Sequence, residues 1–337
     1  DNYGRAAGRA RANYAFYLGA TNDNLDEIRA VRPGQAAGIK VFMGASTGAM
    51  LVDDEEVLEK FFADSPVLIA THCEDTPMIT VNEERAREKY GEQVPMSEHP
   101  LIRSEEACYK SSSLAVELAR RHDSRLHVLH LTTARELELF ATGPVGDKRI
   151  TAEACVHHLF YDESDYQRLD TKIKCNPAIK TAEDREALLQ ALAEDRIDVV
   201  ATDHAPHTIE EKSSTYFYAP AGLPLVQHAL LMLLEHVHRG RFTIDHAVKK
   251  TSHAVAELFG VRDRGYVREG YYADLVLVDP DRPTTVRRKD LLYKCGWSPL
   301  EGHKFRSSIR ATLVNGEVVW LDGQLSEVVA GQRLEFS

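Results

Sequence analysis

The 337-residue chain is 43% hydrophobic with a formal net charge of −11, enough apolar content for one large α/β domain plus a smaller appendage. The charge has the wrong sign for a general nucleic-acid or anionic-membrane binder, although a local cationic pocket could still take an anionic substrate. Five cysteines, odd in number and without a CxxC pair, imply neither a disulfide framework nor a cysteine-only zinc site, so a reducing cytoplasm is the expected setting.

The chain opens on Asp1 without a methionine, and Asn2 to Ala12 reads as the middle of a helix, so the expectation is that residue 1 is not the natural start. No run is long and apolar enough for a membrane span, and no basic-then-apolar leader is present. Strand patterns follow at Tyr14 to Leu18, Gly38 to Met43, Val67 to His72, Leu126 to His130, Arg149 to Ala154 and Asp198 to Asp203. Each is a short run rich in apolar or β-branched residues and bounded by turns. Between and after them the pattern predicts helices over Asp54 to Ala63, Ser104 to His122, Thr133 to Ala141, Ala182 to Ala193, Gly222 to His238 and Thr243 to Phe259. This alternation predicts βα units and a parallel sheet.

After Gly260 the texture changes to short strands joined by turns, with Asn315-Gly316 the clearest hairpin signal. The expected division is therefore 1–262 for an α/β barrel and 263–337 for a small β domain. A (β/α)8 TIM-like barrel needs eight strands, and six are countable. Either the first two are missing, or another segment covers the gap, or the count is short.

Three of the runs stop on residues able to hold a metal: His72, His130 and Asp203. In a parallel barrel the C-terminal strand ends converge, so separation in sequence does not separate them in space. Either histidine alone is more often structural than a ligand, and Asp203 alone could be a turn or helix cap. Together, with His204-Ala-Pro-His207 following Asp203, they read as a metallohydrolase site. Asp203 would then be a ligand and the general base. Lys40 sits inside an apolar strand, where an unpaired ammonium is costly. It could pair with a carboxylate, form a Schiff base, or carry a carbamate that bridges two metal ions. His236-Val-His238 lies on a predicted helix, where i and i+2 point apart, and His157-His158 reads as structural or as supporting a ligand, not as a ligand itself. The sequence has no P-loop.

Several blocks together resemble the amidohydrolases, and within them the dihydroorotases. They are Gly38-Ile-Lys-Val-Phe-Met, Thr71-His-Cys-Glu-Asp, the block from His99 to Cys108, His127-Val-Leu-His-Leu-Thr-Thr, Lys174-Cys-Asn-Pro, Ala201-Thr-Asp-His-Ala-Pro-His and Lys294-Cys-Gly-Trp-Ser-Pro-Leu-Glu-Gly. The resemblance implies a barrel of the metal-dependent hydrolase type with two divalent ions, zinc first among them, bridged by carboxylated Lys40. His72 and His130 would hold one ion, and Asp203 would hold the other and carry protons. Asn176, His207 and the Ala221-Gly222 backbone would line the substrate site. The implied reaction is the reversible cyclisation of N-carbamoyl-L-aspartate to L-dihydroorotate in pyrimidine synthesis, through a metal-bridging hydroxide. A homodimer or homotetramer is left open. The family's HxH pair at the first barrel strand, with its following arginine, has no match here. That keeps two alternatives open: a non-catalytic dihydroorotase-like subunit that stabilises aspartate carbamoyltransferase, and another cyclic amidase such as allantoinase or dihydropyrimidinase.

Overall fold

A computed structural model describes residues 2–44 and 50–337. Six parallel strands form one sheet in sequence order: β1 (Leu18–Gly19), β2 (Ile39–Phe42), β3 (Ile69–His72), β4 (Leu126–Val128), β5 (Ile150–Cys155) and β6 (Val199–Ala201). The register aligns Lys40 with Ala70, Phe42 with His72 and Val128 with Ala152, which brings the C-terminal ends of β2 to β5 level with one another. Every residue of β3 and β4 is buried, as expected for strands covered on both faces. Their apolar side chains join Phe61 and Phe62 of helix Glu55–Asp64 and Leu118 of helix Glu105–His122 in one core.

Local chemistry explains where the helices begin. Asp54 accepts from the amides of Glu56 and Val57, Ser104 from that of Ala107, and Thr181 with Asp184 forms a reciprocal capping box for helix Ala182–Ala193. The helix Glu105–His122 ends with Asp123 in the left-handed conformation and three basic residues in its last turn, favourable next to the helix dipole.

Five elements differ from the sequence expectation. The strand expected at Tyr14 to Leu18 is only β1, because Tyr14 pairs instead with Arg333 and packs its ring with Tyr3 and Phe16. The helix expected over Thr133 to Ala141 is a 3-10 segment, Arg135–Leu139, whose entry is held by reciprocal bonds between Thr133 and Glu136. Helix Ala229–His238 starts later than Gly222, since Pro224 cannot donate to a helix and disfavours helical backbone at Leu223, which bridges to His204. The Thr243 to Phe259 pattern contains a π turn at Lys249–His253. That wider turn lets the consecutive Lys249 and Lys250 both reach Asp195. The expected opening helix is short, Asn2–Ala6.

The chain then changes to antiparallel pairing. β7 (Leu275–Asp279) is followed by a ribbon of β8 (Thr284–Thr285) and β9 (Lys304–Phe305), then by β10 (Ser308–Val314), β11 (Glu317–Leu321) and β12 (Gln324–Leu325). The four-stranded sheet runs β12-β11-β10-β7. Its central turn is Asn315-Gly316, both at positive φ, as the sequence predicts. All five cysteines are free thiols. No helix among the described residues is long and apolar enough to cross a membrane.

Candidate active site

His72 closes β3, and His130 and Asp203 stand two residues past the ends of β4 and β6. His130 and Asp203 have left-handed backbone, φ 40° and 45°, a conformation that costs energy and clusters at functional sites. His72 Nδ1 and His130 Nε2 face each other at 3.0 Å. Both imidazoles are buried, and burial holds their pKa values below the ordinary histidine range, that of His130 well below it. They are therefore neutral near pH 7, the state in which imidazole binds metals.

Glu74 and Arg103, to which the sequence reading gave no role, complete this end of the site. Glu74 Oε2 accepts from His72 Nε2 at 2.9 Å, so the hydrogen lies on Nε2 and the Nδ1 lone pair is aimed at His130. Arg103 donates to the same oxygen at 2.7 Å. Burial raises the Glu74 pKa, but the Arg103 charge and the His72 hydrogen bond outweigh it and hold the carboxyl at about 2. The signal was present in Thr71-His-Cys-Glu, since i and i+2 on an extended chain share a side.

Lys40 is half-buried on β2, its Nζ 4.4 Å from the centre of the Phe42 ring. Burial lowers its pKa to about 8, against the partly compensating charges of Glu153 and Asp203. No carboxylate lies within ion-pair distance of it among the described residues, which disfavours the simple paired-lysine reading. Solvent reaches Asp203, yet enough protein surrounds it that desolvation, then the Glu153 charge, raises its pKa. Lys40 thus feels Asp203, and His72 and His130 both feel Lys40. The four residues form one electrostatic neighbourhood.

The proposed substrate-facing residues sit on the loops beyond β5 and β6. Asn176 Oδ1 is buried without a partner. His207 Nε2 donates to the Ala221 carbonyl at 3.1 Å, and Trp297 of the small β segment donates to the His207 carbonyl at 2.8 Å. Gly222 donates to the Lys174 carbonyl. The segment Thr208 to Ala219, which follows the Asp203 turn, is anchored at its base. Buried Lys212 Nζ donates to the carbonyls of Lys174, Pro220 and Gly222 at 3.0, 2.8 and 3.0 Å. Gly222 has φ 133°, and a Cβ there would stand 2.5 Å from the Ala205 carbonyl oxygen. Gly222→Ala is expected to cost about 1–3 kcal/mol, read as a lower thermal midpoint. An unchanged midpoint would contradict this packing.

Two surface hollows lie elsewhere. One of 730 Å³ is on helix Ala182–Ala193, and one of 810 Å³ lies between Val226–Leu231 and the small sheet. Neither includes any of the four clustered residues.

A family model described as "Amidohydrolase family" matches residues 19–319. The dihydroorotase of Halobacterium salinarum is 34% identical over 297 residues, covering 88% of this chain and 67% of that protein. The structure of L-hydantoinase (dihydropyrimidinase) from Arthrobacter aurescens superimposes with a TM-score of 0.90 at 25% identity, over 99% of this chain and 76% of that one. The inactive dihydroorotase-like domain of the Chaetomium thermophilum CAD-like multifunctional protein shares the fold, with a TM-score of 0.66 at 20% identity over 97% and 80%. The chain spans about two thirds of the curated dihydroorotases it matches: 67%, 66% and 65% of three of them. Its six-stranded sheet belongs to a barrel of this type, followed by a small antiparallel sheet.

Proposed function

The chain belongs to the amidohydrolase family, and from that premise we propose that it carries the active site of a dihydroorotase. The proposed reaction interconverts L-dihydroorotate and N-carbamoyl-L-aspartate. The observation that carries the reading is the convergence of His72, His130, Lys40 and Asp203, with the two ring nitrogens 3.0 Å apart.

These donors suit divalent ions, zinc first among them. The His72 Nδ1 lone pair, fixed by the hydrogen bond from Nε2 to Glu74, faces His130 Nε2 across 3.0 Å, so two imidazole nitrogens are turned toward one place for a cation, and carboxylate-oriented imidazole is the usual supporting arrangement. Lys40, once carboxylated by carbon dioxide, would supply the bridging oxygens. Bound metal would activate water and polarise the amide carbonyl. The rest falls to the chain's own side chains. Asp203 takes the proton of the attacking water and returns it to the ring nitrogen as the C–N bond breaks, and cyclisation reverses these steps. Asn176, His207 and the Ala221-Gly222 backbone would orient the substrate, with Trp297 fixing His207 from behind.

Glu74→Gln is expected to weaken metal binding about 10–100-fold, measured by competition with a chelator. Unchanged affinity would remove Glu74 from this role.

The division into 1–262 and 263–337 is proposed on the change from parallel to antiparallel pairing beyond β6. A reducing cytoplasm is the proposed setting, in keeping with five free thiols. A homodimer or homotetramer is proposed as the assembly.

The second reading, a non-catalytic subunit stabilising aspartate carbamoyltransferase, draws on the shared fold of the inactive dihydroorotase-like domain of the Chaetomium thermophilum protein. The retention of all four clustered residues weighs against it. The deciding experiment is turnover by the metal- and bicarbonate-loaded full-length protein, with L-dihydroorotate, allantoin and dihydrouracil as substrates. Selective turnover of dihydroorotate is expected. Preference for another ring would overturn the substrate, and no turnover of any would favour the scaffold.

A further inference from the structure

We propose that Cys155, His157 and His158 form a second, buried metal site beside the Lys40 cluster, selective for a thiophilic divalent cation of the zinc type and sharing none of that cluster's ligands. Cys155 ends β5, and the chain turns at once into the short helix Val156–Phe160, which folds the three side chains together. One donor atom from each lies within 4.8 Å of the others. The residues are 0%, 0% and 3% exposed.

Hydrogen bonding is what distinguishes this cluster from an ordinary pair of core histidines. His158 Nε2 contacts the Pro177 carbonyl at 3.1 Å. A carbonyl only accepts, so the hydrogen must lie on Nε2 and Nδ1 is a bare lone pair. That Nδ1 is buried with no partner, and both ring nitrogens of His157 are buried with none. Unmet polar atoms of this kind cost about 1–3 kcal/mol each, and buried polar groups in folded proteins are nearly always satisfied. A backbone carbonyl holding the far N–H of a ligating imidazole is also a common supporting contact in metal sites. Burial keeps both rings neutral, His157 titrating only at about 3, so their lone pairs are available at physiological pH.

Thiol plus imidazole is the donor set of zinc rather than of magnesium or calcium. Cation uptake replaces the Cys155 S–H bond with an S–metal bond and releases one proton to water, with no change of oxidation state.

Cobalt(II) distinguishes this site from the Lys40 cluster, because none of Lys40, His72, His130 and Asp203 offers sulfur. The metal-free full-length protein loaded with Co2+ should develop a near-ultraviolet thiolate-to-cobalt charge-transfer band. The band should vanish in Cys155→Ser, survive in Cys73→Ser, and be accompanied by one fewer bound ion per chain in His157→Phe. Absence of the band from the parent protein, or its persistence in Cys155→Ser, would overturn the proposal. The parent spectrum alone decides the first of these, so a variant that fails to fold does not shelter the idea. Dihydroorotate turnover is read separately, so this site can fail while the function stands, and the reverse.

Discussion

Asp203→Asn is expected to lower turnover of the preferred cyclic amide by at least about a hundredfold, the scale of a lost general acid–base group, while leaving the fold intact. The substitution is clean for a structural reason. Asp203 sits at φ 45°, and asparagine tolerates left-handed backbone as aspartate does, so the turn after β6 should persist. What is lost is a carboxylate able to take and return a proton. Circular dichroism and thermal melting should match the parent. Near-parent turnover would remove Asp203 from the proton path. A melted variant would show instead that the carboxylate holds the turn.

Lys40→Arg separates the readings of the strand lysine. An ion-pairing role would tolerate arginine, since the positive charge is kept. A carboxylated role would not, because the guanidinium remains charged at all relevant pH and does not take up carbon dioxide. The proposed function therefore predicts loss of bound metal and of activity by about a thousandfold, a barrier rise of several kcal/mol. Lys40→Ala should behave alike and recover part of its activity with added propionate, whose carboxylate could stand in for the bridge. An arginine variant with parent-level metal content and activity would contradict carboxylation.

Much of the barrel was legible because its signals are local. Buried parallel strands are short continuous apolar runs, and five of the six expected strands appear close to their expected positions. Helix starts were legible from Asp54, Ser104 and Thr181 because a cap is a short-range hydrogen bond. The misses depended on partners distant in sequence. Tyr14 leaves the first strand for Arg333, Leu223 for His204, and the π turn answers to Asp195 more than fifty residues away.

The same holds for the candidate site. The residues proposed to hold metal could be singled out because strand ends converge, whereas Glu74, Arg103 and Trp297 touch the site through another residue. His157-His158 read as a structural pair because sequence does not show whether buried nitrogens find partners. The anchoring of Thr208 to Ala219 could not be recognised without Lys212, whose three carbonyl partners lie on two separate loops.

The central claim is that Lys40, His72, His130 and Asp203 act together as a metal-assisted amide-hydrolysing site. Its most direct test is a crystal structure of the zinc- and bicarbonate-loaded full-length protein, with anomalous scattering recorded at the zinc edge. The account predicts anomalous density between His72 Nδ1 and His130 Nε2, with a carboxylated Lys40 reaching toward Asp203. An unmodified Lys40 and no anomalous density among these four residues, in a protein known to have been loaded, would contradict it.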